Sequence, residues 1–162
     1  MKYIAFPRGI NVGGVKIKMA DLKVEFENHG FTEVQTILNT GNVIFSSDST
    51  PDLSFLSIKT FVRTDKEVRQ LLTQIPFEKM TDKHIYVFIS SSDFVQKAME
   101  IFVSTDRLLG ETAQVVNGIF YWQVPIGHTT DSFFAKEINK KKYAEQFTNR
   151  NLNTIEKIIK KL

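Results

Sequence analysis

The sequence predicts an α+β protein in which one order of elements, strand, helix, hairpin, helix, strand, is laid down twice and followed by a last helix. Three observations lead there. Short apolar runs such as Tyr3 to Phe6 and Ile85 to Ile89 alternate with stretches whose apolar residues recur at helical spacing. Asn117-Gly118 sits between two β-rich runs, the strongest short hairpin signal, because a type I′ turn needs positive φ at both central residues. The order read from Tyr3 to Arg63 returns from Ile85 to Thr148, with one helix lacking in the first copy. No residue identity repeats at a fixed period, so the duplication is one of element order.

The elements follow in chain order. Tyr3 to Phe6 is the first strand, ended by Pro7, which has no N–H to give a ladder. Met19, Leu22 and Phe26 mark a helix from Met19 to His29, with Gly30 as the residue after its cap and Phe31 as the apolar contact behind it. Val34 to Leu38 is a strand, Asn39-Thr40-Gly41-Asn42 supplies a turn, and Val43 to Ser46 returns. Thr64-Asp65-Lys66-Glu67 is a capping box that starts a helix at Asp65, which Pro76 closes. Ile85 to Ile89 reads as a central strand, and Ser91 or Ser92 caps the helix carrying Phe94, Val95, Ala98, Ile101 and Phe102. After the hairpin of Thr112 to Val116 and Ile119 to Val124 come a helix over Ser132 to Lys142, a short strand at Glu145 to Thr148, and a final helix capped by Asn153. The expected division is a first half over residues 1–76 and a second over 77–162.

The first copy has no second helix. Ser47 to Ser57, rich in Ser, Asp and Pro, leads straight to a strand expected at Ile58 to Arg63. Either that helix has been lost or a segment near Ser57 and Ile58 is omitted. Omission is favoured, because losing a packed helix uncovers one apolar face of a sheet.

Composition narrows the function classes. A chain of 162 residues with 42% hydrophobic content buries a real core, and 24% charged residues argue against disorder. No apolar run approaches the ~18 residues of a membrane span, and no secretory pattern follows Met1. Without cysteine there are no disulfides, thiol nucleophiles or zinc–cysteine sites, and a reducing cytoplasm is the expected compartment. The net charge of +3 conceals an asymmetry: residues 1–23 carry +4, residues 24–135 carry −6 and residues 136–162 carry +5. Brought together, the two basic ends would attract phosphate-bearing partners.

The stretch Arg8-Gly9-Ile10-Asn11-Val12-Gly13-Gly14, then Met19-Ala20-Asp21-Leu22, Gly30-Phe31 and Thr40-Gly41-Asn42-Val43-Ile44-Phe45, resembles a family of small bacterial proteins of unknown function. The likeness resumes at Val62-Arg63-Thr64, Pro76-Phe77 and Thr148-Asn149-Arg150-Asn151, and so spans essentially the whole chain. It implies two tandem ferredoxin-like (βαββαβ) halves, and family members have the second helix of the first half. This chain departs from them there, so the expected fold is two such halves, the first lacking or missing its second helix, plus a C-terminal helix. The likeness implies no substrate, cofactor or catalytic residue. Family members often carry Trp where this chain has Leu152, which removes a stacking surface here.

The leading candidate site is the glycine loop. Backbone N–H groups of Gly9, Gly13 and Gly14 running into a helix can hold an anion, with Arg8 adding a bidentate contact and Asn11 a polar one. The loop lacks the Lys-Ser/Thr ending of a P-loop and the glycine spacing of a dinucleotide fingerprint. The second candidate is Thr148, Arg150 and Asn151 at the mouth of the last helix, and Asn42 is a third polar side chain at a turn. His29, His84 and His128 are scattered, with no carboxylate spaced to complete a metal set, and no nucleophile motif is present. No cofactor is expected. The expected function is binding of an anionic or phosphate-bearing small molecule, with no membrane partner. The alternatives are a single-stranded nucleic-acid module stacking bases on Tyr3 and Phe45 or Tyr86 and Tyr121, and a scaffold protein with an exposed apolar patch.

Overall fold

A computed structural model of the chain describes residues 1–9 and 16–162. The fold is α+β, with two four-stranded antiparallel sheets and a helix at the C-terminus. It divides into two compact units, Met1–Gln70 with Glu156–Leu162, and Leu71–Ile155.

In the first unit, β1 (Lys2–Pro7), α1 (Met19–Asn28), β2 (Thr32–Ile37), β3 (Asn42–Ser46) and β4 (Thr60–Thr64) form a sheet of order β2-β3-β1-β4. The central strand β1 pairs with β3 from Lys2↔Ser46 and with β4 as far as Pro7↔Thr60. Period-two alternation turns Tyr3, Ala5, Val43 and Phe45 toward α1, which answers with Leu22 and Phe26. The Phe26 and Phe45 rings lie 5.1 Å apart and Phe31 meets Phe45 edge-on at 4.8 Å. Ile4, Phe6 and Ile44, on the opposite side of the same strands, are buried as well.

No helix lies between Ser46 and Thr60, yet the apolar face is not bare. Leu53, Phe55, Leu56 and Ile58 pack on the same core as α1. Phe55 meets Phe26 edge-on at 5.5 Å and stacks on His29 at 3.8 Å. An irregular stretch whose sequence looks polar therefore does the covering expected of a helix. This removes the physical reason for favouring an omitted segment. It also explains why β4 starts at Thr60 and not at Ile58, whose side chain joins the cover.

The helix α2 (Asp65–Thr73) follows β4 directly. Its capping box forms as expected: Glu67 Oε2 accepts from the Thr64 backbone N–H at 2.7 Å, and Thr64 Oγ1 accepts from the Glu67 N–H at 3.2 Å.

The second unit holds β5 (Lys83–Ser90), α3 (Ser92–Ser104), β6 (Thr112–Val116), β7 (Ile119–Pro125), α4 (Phe133–Ile138) and β8 (Phe147–Asn151), in the sheet order β6-β7-β5-β8. Phe88, Phe120, Trp122 and Phe147 face Phe94, Phe102 and Phe134 of α3 and α4 in a ring-rich core. The Phe147 ring stacks between Phe88 at 5.0 Å and Phe94 at 5.2 Å. The β6–β7 turn takes φ 48° at Asn117 and 76° at Gly118, the left-handed pair that the sequence signals.

Other boundaries also differ from expectation. Ser132 is the cap of α4, its Oγ accepting from the Ala135 N–H at 3.0 Å, and the helix stops at Ile138 instead of running to Lys142. Asn139 ends it by donating from its side chain to the Ala135 carbonyl at 2.8 Å, and a 3-10 turn over Lys141–Tyr143 follows. The strand expected at Glu145 to Thr148 lies at Phe147–Asn151, because β5 is long enough to pair Val87 with Arg150 and Tyr86 with Asn151. The last helix, α5 (Leu152–Ile159), is consequently capped by Asn151 and not by Asn153: Asn151 Oδ1 accepts from the Asn153 N–H at 2.9 Å. Within the first unit, Lys2 Nζ donates to the Leu162 carbonyl at 3.4 Å. Among the described residues, no helix is long and apolar enough to cross a membrane.

Candidate functional site

Arg8 leaves β1 immediately after Pro7. Its backbone N–H donates to the Lys59 carbonyl at 2.8 Å, extending the β1–β4 pairing by one residue. The side chain is half-buried, and that burial pushes the guanidinium pKa down from the usual arginine value while leaving the group charged. Gly9 takes φ 76° with nothing within 4 Å of where a Cβ would stand. Glycine is required there by backbone conformation and not by crowding. Asn11, Gly13 and Gly14 lie outside the described residues.

The other candidates separate. Asn42 is fully buried, and its Nδ2 donates to the Ile37 carbonyl and to Thr40 Oγ1, both at 2.9 Å. This is turn chemistry joining β2 to β3. Thr148 and Arg150 are buried within β8, where Arg150 Nη1 donates to Thr148 Oγ1 at 2.9 Å and to the Asn149 carbonyl at 2.8 Å. Their side chains leave on the opposite side of the strand from that of Asn151.

Asn151 stands elsewhere. It lines a cleft of about 340 Å³, open mouth included, together with Lys79, Met80, Lys83, His84 and Asn153. The pairing of β5 with β8 builds this group: Tyr86 lies opposite Asn151, and His84, two residues earlier on the same face, comes to 3.1 Å from it, Nδ1 to Nδ2. Lys83 begins β5 one residue before His84, so its side chain leaves from the other face of the strand. A Cβ on Gly110 would stand 3.0 Å from Lys83 Cε and 3.2 Å from its Nζ, so the turn at Gly110 packs directly on the ammonium end of that side chain. The residues that line it include two lysines and a histidine, and no Asp or Glu. Such a group attracts anions and gives them several donors.

Sequence reasoning finds Asn151 but misses Lys79, Lys83 and His84. A search for a partner at helical spacing passes over His84, because its partner lies 67 residues away and is an amide. The aromatic rings considered for base stacking are spent internally. Phe45 and Tyr121 are fully buried, the Tyr121 hydroxyl donates to the Leu71 carbonyl at 2.9 Å, and Tyr3 stacks on Phe45. Tyr86 packs on Trp122 with its hydroxyl toward Thr129 Oγ1 at 3.3 Å.

Residues 1–121 match a family described as protein of unknown function DUF1697. The chain belongs to that family. Its structure is similar to that of the conserved bacterial protein SP0830 from Streptococcus pneumoniae, with a TM-score of 0.74 and 22% identity over 98% of this chain and 97% of that one. At that identity the likeness concerns the fold alone. No curated protein matches the chain. DUF1697 membership therefore supplies an architecture, and the chemistry has to be argued from the cleft.

Proposed function

We propose that this DUF1697 protein binds an anionic small molecule, a phosphate-bearing one by preference, in the cleft between the start of β5 and the end of β8. The observation that carries this reading is the lining itself: Lys79, Lys83 and His84 gathered with Asn151 and no carboxylate among them. Arg8 and Gly9, expected to hold an anion on sequence grounds, belong to the other unit and are a candidate in their own right. We read each unit as a ferredoxin-like half, supported by the strand orders β2-β3-β1-β4 and β6-β7-β5-β8. A cytoplasmic location is the companion proposal, supported by the absence of cysteine. Binding of single-stranded nucleic acid draws less support, since Phe45 and Tyr121 have no open ring face.

Calorimetric titration with inorganic phosphate, sugar phosphates and nucleotides tests the reading. A charged hydrogen bond is worth roughly 1.5–3 kcal/mol, so Lys83→Ala should weaken binding by about tenfold or more. Arg8→Ala should leave it unchanged. Binding that survives Lys79→Ala/Lys83→Ala but is lost in Arg8→Ala would move the site to the glycine loop.

A further inference from the structure

The protonation pattern of His84 follows from its neighbours. Asn151 Oδ1 accepts from the Asn153 backbone N–H at 2.9 Å, and only an oxygen can do so, which fixes the orientation of the Asn151 amide. The Asn151 NH₂ group is then the end that faces His84, with Nδ2 at 3.1 Å from Nδ1. An NH₂ donor needs an acceptor, so Nδ1 carries no proton and the neutral ring carries its proton on Nε2. Lys79 and Lys83 are the remaining charged residues of the lining, and with Asn151 Oδ1 already bonded, its polar side chains are donors apart from the Asn153 amide, which has both ends to offer.

We infer that Asn151 is a positioning residue which fixes His84 as the Nε2–H tautomer, and that the resulting donor-rich cleft favours fully deprotonated oxyanions, a phosphomonoester dianion or a sulfate, over protonated ones. This rests on the anion-binding reading and adds its specificity. A dianion offers acceptors alone and matches the lining. A phosphomonoester monoanion brings a P–OH that must donate, and neither an ammonium nor an Nε2–H can receive it. A carboxylate in the lining would reverse that preference, and none is there.

Two measurements on the full chain test it. Long-range ¹H–¹⁵N NMR at pH 8, with His84 assigned through His84→Gln, should show Nε2 protonated and Nδ1 bare. In Asn151→Asp the pattern should reverse, because a carboxylate oxygen then faces Nδ1 while the bond from the Asn153 N–H is kept. Protonated Nδ1 in the unsubstituted protein overturns the inference. Calorimetry with methyl phosphate and sulfate, at pH 8 and pH 5, reads the selectivity. A phosphomonoester's second ionisation lies near pH 6, so about a tenth remains dianionic at pH 5, and the affinity ratio should shift about tenfold toward sulfate. The ratio cancels any effect of pH that is common to both anions. An unchanged ratio overturns the selection for dianions and leaves anion binding standing. Failure of both anions to bind at pH 8 overturns both.

Discussion

Trp122 donates its indole Nε1–H to Glu111 Oε2 across 2.9 Å, and both side chains are buried in the second unit. The other carboxylate oxygen accepts from the Leu108 N–H at 3.2 Å, tying the loop before β6 to the core. Glu111 thus satisfies two donors at once, which explains a buried acid with no basic partner in its hydrogen bonds. Glu111→Ala should cost about 3 kcal/mol by stranding both donors, and Glu111→Gln about 1–2 kcal/mol, since its NH₂ end cannot accept. Trp122 is the chain's one tryptophan, so urea unfolding followed by its fluorescence reads the change directly. Equal stability of Glu111→Ala and the parent would refute this account.

The cover over the first sheet gives a second test. Phe55 touches Phe26 and His29 from a stretch without regular structure. Removing a core phenylalanine costs about 3–5 kcal/mol, and a partly exposed one should cost about 2 kcal/mol. Phe55→Ala should therefore lower the unfolding free energy by that amount, whereas Ser49→Ala, in an exposed turn, should lie within about 0.5 kcal/mol of the parent.

The turn at Gly110 couples stability to the cleft. Its φ of 85° disfavours a side chain, and an added Cβ would press on the end of Lys83. Gly110→Ala should lose about 1 kcal/mol of stability from the left-handed backbone. It should also weaken phosphate binding, because the ammonium must move. Calorimetry and denaturation on one sample separate the two effects.

At α2, Thr64→Ala removes the hydroxyl that accepts from the Glu67 N–H. A lost cap of this kind costs about 1 kcal/mol, and Thr64→Ser should recover most of it. Thermal unfolding of the three proteins is the comparison.

Glu137 supplies the acid-pH prediction. Its carboxylate accepts from Lys140, with Lys142 3.9 Å away, and the hydrogen bond from Lys140 is the larger reason that its pKa lies below the usual glutamate value. A depressed folded pKa means that stability is present above the unfolded value and is lost as pH falls through the folded one. The difference in melting temperature between the parent and Glu137→Gln should be constant at neutral pH and vanish in the acid range below the usual glutamate pKa. High salt should shrink it, since Lys140 is exposed and the carboxylate partly so.

What the sequence determined by itself is what neighbouring residues decide among themselves. The Asn117-Gly118 turn, the Thr64/Glu67 box and the order of strands and helices are legible because each depends on a few bonds within one or two turns of chain. The tertiary structure alone decided which polar side chains gather. Leu53 and Phe55 sit in a stretch that reads as polar loop, and only the bare face of the first sheet gives them a place. Arg150 and Asn151 are adjacent in sequence, yet the pairing of β8 with β5 buries one inside the strand's hydrogen bonds and sets the other beside His84. Strand register is a long-range choice made by burial, and a one-residue change in it exchanges the two faces.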